Sequence, residues 1–248
     1  MIQAKDKIIL ALDVSTKAEA IGLVEKLKEH VGLFKVGLEL YSSAGPQIVK
    51  DIQDLGASVF IDLKIHDIPN TAASTGRVMT RLRCKMFTAH ASGGTQMLTS
   101  LIESVKEEAN ILNIEPPLVL AVTLLTSIDE QILKDDLLIK DMSVQDVTKK
   151  WANLARIAGA DGMICSPLET PVIRCQCGPE FKIITPGIRP EWVQKHDQKR
   201  ITTPREAIQL GSDYIVVGRA ITQAKDPVYA AKQIAEEIQQ TEGEINVK

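Results

Sequence analysis

In the stretch FIDLKIHDIPNT, residues 60–71, two acids, a lysine and a histidine interrupt a run that otherwise reads as a buried strand. Successive side chains on a strand point to opposite sides, so Asp62 and Lys64 are expected on one face and Leu63 and Ile65 on the other. Covering the charged face with helices would leave both groups unsolvated, which predicts that it opens into a polar cavity. A salt bridge that only fills space is the competing account, but a buried pair rarely stabilises more than apolar residues of equal volume. Lys64 lies between Asp62 and Asp67, and Lys35 from a neighbouring strand can join them; flanking carboxylates favour the ammonium form. An imine-forming lysine needs a free amine. A lysine kept protonated is instead a proton donor and a partner for developing negative charge, so the pattern fits carbanion chemistry.

Two further segments, TPGIRP (185–190) and IVVGRA (215–220), each set a glycine beside an arginine. Backbone N–H groups at Gly218 and Arg219 can point at phosphate oxygens, and a guanidinium can bind them bidentately. A glycine ahead of a helix can also be plain turn chemistry. The same Gly-and-Arg pairing in both segments favours a phosphorylated substrate.

The elements that must position these groups follow a regular rhythm. Strand candidates are KIILALDV (7–14), LFKVGLEL (33–40), SVFIDLKI (58–65), MFTAHA (86–91), PLVLAVTLL (117–125), GMICS (162–166), KIITPGI (182–188) and YIVVGRA (214–220). Between them lie amphipathic segments such as KAEAIGLVEKLKEHV and PQIVKDIQDLG, with apolar residues three and four apart and glycines at their ends. Strict alternation of strand and helix implies parallel strands and right-handed crossovers, and eight such units predict an α/β fold of the (β/α)8 TIM-barrel type. No linker or low-complexity tract breaks the rhythm, so residues 1–248 are expected to form a single domain. In such barrels chemistry sits at the C-terminal strand ends. Asp13, Lys35, Asp62, Lys64, Asp67, His90, Ser127, Gly187, Arg189, Gly218 and Arg219 all fall there, and the segments after strands seven and eight are the usual phosphate position.

Two places depart from the rhythm. Residues 127–142 suggest an extra short helix ahead of a main helix starting near Ser143, and the charged segment at about 189–200 suits a lid over a site, although a plain surface loop is equally open.

The chain has 248 residues, 44% apolar and 25% charged, with a net charge of −3. That balance argues against a nucleic-acid surface, which needs clustered Lys and Arg. The absence of a signal-like start and of any apolar run of about 18 residues leads us to expect no membrane association and a cytoplasmic protein. Cys84, Cys165, Cys175 and Cys177 are too few and irregular for a disulfide framework, and the Cys175/Cys177 pair lacks the second half of a zinc site nearby.

With these residues in view, the chain resembles the orotidine 5'-monophosphate decarboxylase family, on LALD (10–13), FKVG (34–37), DLKIHDIPNT (62–71), HASGG (90–94), VTLLTS (122–127), TPGIRP (185–190), DQKR (197–200) and VVGRAIT (216–222). The D-x-K-x-x-D element is shared with relatives; followed by Ile-Pro-Asn-Thr it is specific. The resemblance implies decarboxylation of orotidine 5'-monophosphate (OMP) to UMP and CO2, the last step of UMP and pyrimidine biosynthesis, with no metal and no organic cofactor. It implies that Lys64 protonates C6, that Asp62 lies against the substrate carboxylate, and that Lys35 completes the charge network. It further implies a homodimer in which Asp67, Ile68 and Thr71 serve the partner's site, Asp67 and Thr71 near the ribose. Asp13 with Lys35 would bind ribose hydroxyls, Thr126 and Ser127 the pyrimidine, Gln198 in the lid the base and phosphate, and Gly218 and Arg219 the phosphate, with Arg189 in the ligand-binding set of its loop. The carbanion left by decarboxylation has no conjugated electron sink, so the site must supply the stabilisation, which a fixed ammonium can give. The phosphate is remote from the reacting carbon and its binding energy can drive closure, so a substrate lacking it should lose turnover as well as affinity.

This chain departs from the family pattern at Ile65, often Phe, and in RLRCKMF (81–87), which lacks the usual glycine; neither change touches a charged position. His66 and His90 are expected to support the site rather than transfer the proton. A magnesium-dependent sugar-phosphate relative would need an acidic ligand where Lys35 stands, with Glu39 lying further along. A catalytically dead nucleotide-binding barrel would be expected to have lost one of Lys35, Asp62, Lys64 and Asp67, and all four remain.

Overall fold

A computed structural model describes residues 3–192 and 202–246. In chain order the strands are β1 (Ile8–Ala11), β2 (Leu33–Gly37), β3 (Val59–Ile65), β4 (Met86–His90), β5 (Leu118–Val122), β6 (Gly162–Ile164), β7 (Lys182–Thr185) and β8 (Tyr214–Val217). The longer helices are α1 (Lys17–Leu27), α2 (Leu38–Ala44), α3 (Gln47–Asp54), α4 (Pro69–Arg81), α5 (Gly94–Leu112), α6 (Glu130–Asp135), α7 (Val144–Ala158), α8 (Thr170–Cys177), α9 (Pro204–Gln209), α10 (Arg219–Thr222) and α11 (Pro227–Asn246). The strands run in sequence order around a closed barrel, β1 lying beside both β2 and β8. This is the (β/α)8 architecture expected from the alternation of elements.

Local chemistry explains where the elements start and stop. Thr16 accepts the Glu19 N–H at 3.3 Å ahead of α1, and Ser143 and Asp146 form a reciprocal capping box at α7. Both the main helix after Ser143 and the short helix before it, α6, lie where the sequence places them. Gly159 closes α7 at φ 88°, a left-handed cap that costs glycine nothing.

Every strand candidate contains a strand, but most end earlier than the apolar runs. The clearest case is 33–40, expected as one strand: the sheet stops at Gly37 and α2 begins at Leu38. Leu38 is 59% exposed whereas Leu40 is buried, so the Leu-Glu-Leu alternation belongs to the first turn of a helix. Likewise β7 stops at Thr185 and β8 at Val217, so Gly187, Arg189, Gly218 and Arg219 follow their strands rather than end them.

Two compact units can be distinguished. The first takes in the described parts of Met1–Leu63, Cys84–Met86 and Thr185–Lys248. Its core is built from Ile8, Ile9, Leu10, Phe34, Phe60, Ile61, Ile215 and Val217, with Leu40, Ile48 and Ile52 from α2 and α3. Registers here are parallel: Ala11 stands opposite Lys35, and Gly37 opposite Asp62. The second unit comprises Lys64–Arg83 and Phe87–Ile184. Its core includes Phe87, Leu98, Leu101, Leu120, Met163 and Ile183, and a satellite cluster of Leu124, Leu133, Val144 and Val147 packs with Ile128, Ile139, Met142 and Trp151 around α6 and α7. Among the described residues no helix is long and apolar enough to cross a membrane. Cys84 and Cys165 are buried and Cys175 is exposed; all four cysteines are free thiols.

Candidate active site

In the first unit, the ends of β1, β2, β3 and β8 and the segment after β7 surround a cavity of about 700 Å3 lined by Asp13, Lys35, Asp62, Gly187, Arg189, Gly218 and Arg219. These are seven of the residues singled out in the sequence, drawn from five separate segments. Lys35 is the hub: its ammonium lies 3.2 Å from Asp13 Oδ1 and 3.7 Å from Asp62 Oδ2. The side chains of Lys35 and Asp62 are 12% and 14% exposed, against 62% for Asp13. The Lys35–Asp62 attraction is thus the less screened of the two, while the Asp13 contact is open to water and weak in stability terms.

Gly37 makes room for this arrangement. A Cβ at that position would stand 3.0 Å from the Lys35 ammonium and 3.7 Å from Asp13 Oδ1. Beside Asp13, Gly218 is the N-cap of the short α10 and Arg219 its first residue, a Cβ on Gly218 standing 3.7 Å from Asp13 Oδ2, and Gly187 has φ 78°, a conformation that suits glycine. Arg189 donates its backbone N–H to the Thr202 carbonyl at 3.0 Å, beside a parallel bridge between Ile188 and Thr202. That bridge joins the segments on either side of the expected lid, of which residues 193–200, Gln198 included, lie outside the described residues. Lys225 and Trp192 also line the cavity, and sequence reasoning passed over both. Lys225 lies six positions after Arg219, and only the turn that follows α10 brings it back to the same wall. With Lys35, Arg189, Arg219 and Lys225 against Asp13 and Asp62, the lining favours an anion.

In the second unit the remaining candidates occupy other strand ends. Lys64 has φ 53°, in the left-handed region, although it is neither glycine nor asparagine. The alternation that predicts which face each residue of β3 takes therefore holds through Leu63 and lapses at Lys64. The Lys64 backbone N–H donates to Thr88 Oγ1 on β4 at 2.9 Å. Beyond it, Asp67 accepts the Ile68 N–H at 2.7 Å, and Ile68, extended, gives way to Pro69 at the start of α4. Asp67, Ile68 and Thr71 are exposed, Ile68 at 67%. Thr126 and Ser127 are exposed on a turn closed by the Ile128 N–H donating to the Leu125 carbonyl at 2.8 Å.

His66 and His90 come together here. Their ring centroids are 5.5 Å apart, Ser92 Oγ lies 2.7 Å from His90 Nδ1 and 3.5 Å from His66 Nε2, and Trp151 meets His90 edge-on. Burial, followed by the charges of His66 and Lys64, holds the His90 imidazole below its ordinary value. A neutral imidazole fits the supporting role expected for it. Thr88 carries no signal in the sequence, since a hydroxyl on a strand reads as an ordinary β-former, whereas Ser92 stands within HASGG (90–94) but has no role assigned there.

Comparison with known proteins bears directly on this arrangement. The family described as orotidine 5'-phosphate decarboxylase / HUMPS matches residues 6–234. A protein named orotidine 5'-phosphate decarboxylase from Syntrophomonas wolfei subsp. wolfei is 53% identical over 239 residues, covering 96% of this chain and 100% of its own. Its namesake from Moorella thermoacetica is 48% identical over 238 residues, 96% of this chain and 94% of its own. The crystal structure of orotidine 5'-phosphate decarboxylase from Lactobacillus acidophilus has a TM-score of 0.83 at 36% identity, covering 93% of this chain and 98% of its own. By sequence along nearly its whole length, and by fold, the chain belongs to the orotidine 5'-phosphate decarboxylase / HUMPS family.

Proposed function

We propose that the protein is a carboxy-lyase converting orotidine 5'-monophosphate to UMP and CO2 without metal or organic cofactor, in pyrimidine biosynthesis in the cytoplasm. One observation carries this: Asp13, Lys35 and Asp62 form a charged array in a cavity that Arg189 and Arg219 also line, so a single ligand can meet the array and present a phosphate to the arginines. The names of its relatives supply the substrate.

In the proposed reaction the bond from C6 to the carboxylate breaks, CO2 departs, and the electron pair left on C6 takes a proton from the Lys64 ammonium, which solvent later restores. Asp62 stands by the departing carboxylate, Lys35 holds Asp62 and Asp13 in place, and Arg219 with the Gly218 and Arg219 amides grips the phosphate. Such fixed charges act only if they are in position before reaction, because reorganising them would consume the stabilisation they provide. Thr126 and Ser127 would bind the pyrimidine, and Gln198 would reach the ligand from the lid. A dimer in which Asp67, Ile68 and Thr71 complete the partner's site is part of the proposal, supported by the exposure of all three.

A magnesium-dependent reaction on a sugar phosphate is disfavoured by Lys35, a cation where an acidic ligand would be required. Glu39 sits in the first turn of α2, where its carboxylate accepts a hydrogen bond from Ser15 Oγ at 2.6 Å. The test is to mix the protein with orotidine 5'-monophosphate in excess chelator and follow the orotate absorbance. Steady loss of absorbance is expected, and Lys64→Ala should abolish it while circular dichroism remains unchanged. A reaction that stops in chelator, or a fully active Lys64→Ala protein, would refute the proposal.

A further inference from the structure

We infer that Thr88 is a positioning residue for Lys64: its hydroxyl holds the lysine backbone in the left-handed conformation that aims the ammonium. The inference rests on Lys64 being the proton donor proposed above. Residues with a Cβ avoid positive φ because the Cβ crowds the following carbonyl, and they stay there only where surrounding structure over-determines them. Asparagine and aspartate often satisfy such a position with their own side chains; lysine has no group that can do so. Glycine would take it freely but brings no amine. The chain keeps the amine and places its anchor elsewhere.

That anchor is Thr88, 24 positions along and wholly buried on β4, whose Oγ1 accepts the Lys64 N–H at 2.9 Å. Rotating φ at Lys64 from 53° to an ordinary strand value would swing its Cα–Cβ bond, and with it the long side chain, to a new direction. The N–H belongs to the peptide plane ahead of the Lys64 Cα; with that plane anchored on Thr88 and His66 within reach of Ser92 on the other side, the turn at Lys64 and the direction of its amine are set by the two anchors together. His90, two residues along β4 and hence on the same side of the strand, sits beside Ser92 in the turn that follows, which itself reaches toward His66, so β4 and that turn meet the chain on both sides of Ile65.

The test compares two substitutions in the full-length protein. Thr88→Val keeps the shape and removes the acceptor; Thr88→Ser keeps the acceptor and removes a buried methyl. Thr88→Val should lower kcat by about ten- to a hundredfold with KM within about twofold, while Thr88→Ser keeps kcat within about threefold of the unmodified protein. A purely structural role predicts the opposite order, since loss of a methyl disturbs packing more than loss of an acceptor disturbs shape. Unchanged kcat in Thr88→Val, or equal losses in both variants, would overturn the inference. Should Thr88→Val not fold, Thr88→Cys, whose sulfur is a weak acceptor, takes its place with the same two outcomes. If the unmodified protein does not consume orotidine 5'-monophosphate, the proposed function fails; if it does and Thr88→Val keeps full kcat, only the role of Thr88 fails.

Discussion

The ammonium of Lys35 stands 3.7 Å from a carboxylate oxygen of Asp62, and less than a sixth of either side chain is open to solvent. With so little water to screen it, the charge of Lys35 matters more than its bulk. Lys35→Met, which keeps most of the stem, is expected to cut kcat/KM by about a hundredfold or more, the scale seen when one preorganised electrostatic partner is removed. Steady-state assay beside circular dichroism checks this; near-normal turnover would show that the pair is incidental.

The space at Gly37 can be probed in the same way. Gly37→Ala puts a methyl 3.0 Å from the Lys35 ammonium, so the ion pair must shift, and kcat/KM should fall about tenfold. Gly22, inside α1, has no atom within 4 Å of an added Cβ, so Gly22→Ala should stabilise the fold by about 1 kcal/mol and raise Tm by about 2–4 °C. Calorimetry and assay of the two variants should therefore move in different directions.

His90 links stability to pH. Its imidazole is held below the ordinary value of 6.5, first by burial and then by His66 and Lys64, while Ser92 and Trp151 complete its surroundings. The folded chain thus binds fewer protons at this site than the unfolded chain. Its contribution to stability is fully present above the ordinary value and is lost as pH falls from there through the lower folded value. Denaturant titrations at about pH 8 and about pH 5 should show a smaller acid loss in His90→Gln than in the unmodified protein. Equal losses would mean that other groups account for the acid sensitivity.

The proposed sharing of sites between subunits predicts complementation. Lys64→Ala and Asp67→Ala proteins should each be nearly inactive. Mixed after subunit exchange in equal amounts, they should recover roughly a quarter of normal activity, because half the dimers are mixed and each carries one intact site. No recovery, with exchange verified by mass, would place Asp67 in its own subunit's site.

Much of this could be read in the sequence. The eight strand candidates each contain a strand, and Ser143 caps α7, because apolar periodicity and helix capping act over a few residues and leave local marks. The cavity residues Asp13, Lys35, Asp62, Arg189 and Arg219 could be named because polar groups at the end of apolar strands stand out. The strand end at Leu38–Leu40 is read too long from the sequence, because Gly37 caps a helix that starts at Leu38 and leaves that side chain exposed. Lys225 was missed because nothing local distinguishes a cavity lysine from a surface one.

By itself the sequence determined the order of elements, the closed parallel barrel they build, and which charged residues lie at its strand ends; each follows from short-range patterning. Only the tertiary structure decided that one Lys35 ammonium pairs with both Asp13 and Asp62, and that Lys64 turns left-handed under the hold of Thr88. The physical reason is distance along the chain: a backbone conformation that is unfavourable locally is maintained by a hydroxyl 24 residues away, and no window of neighbouring residues contains both partners.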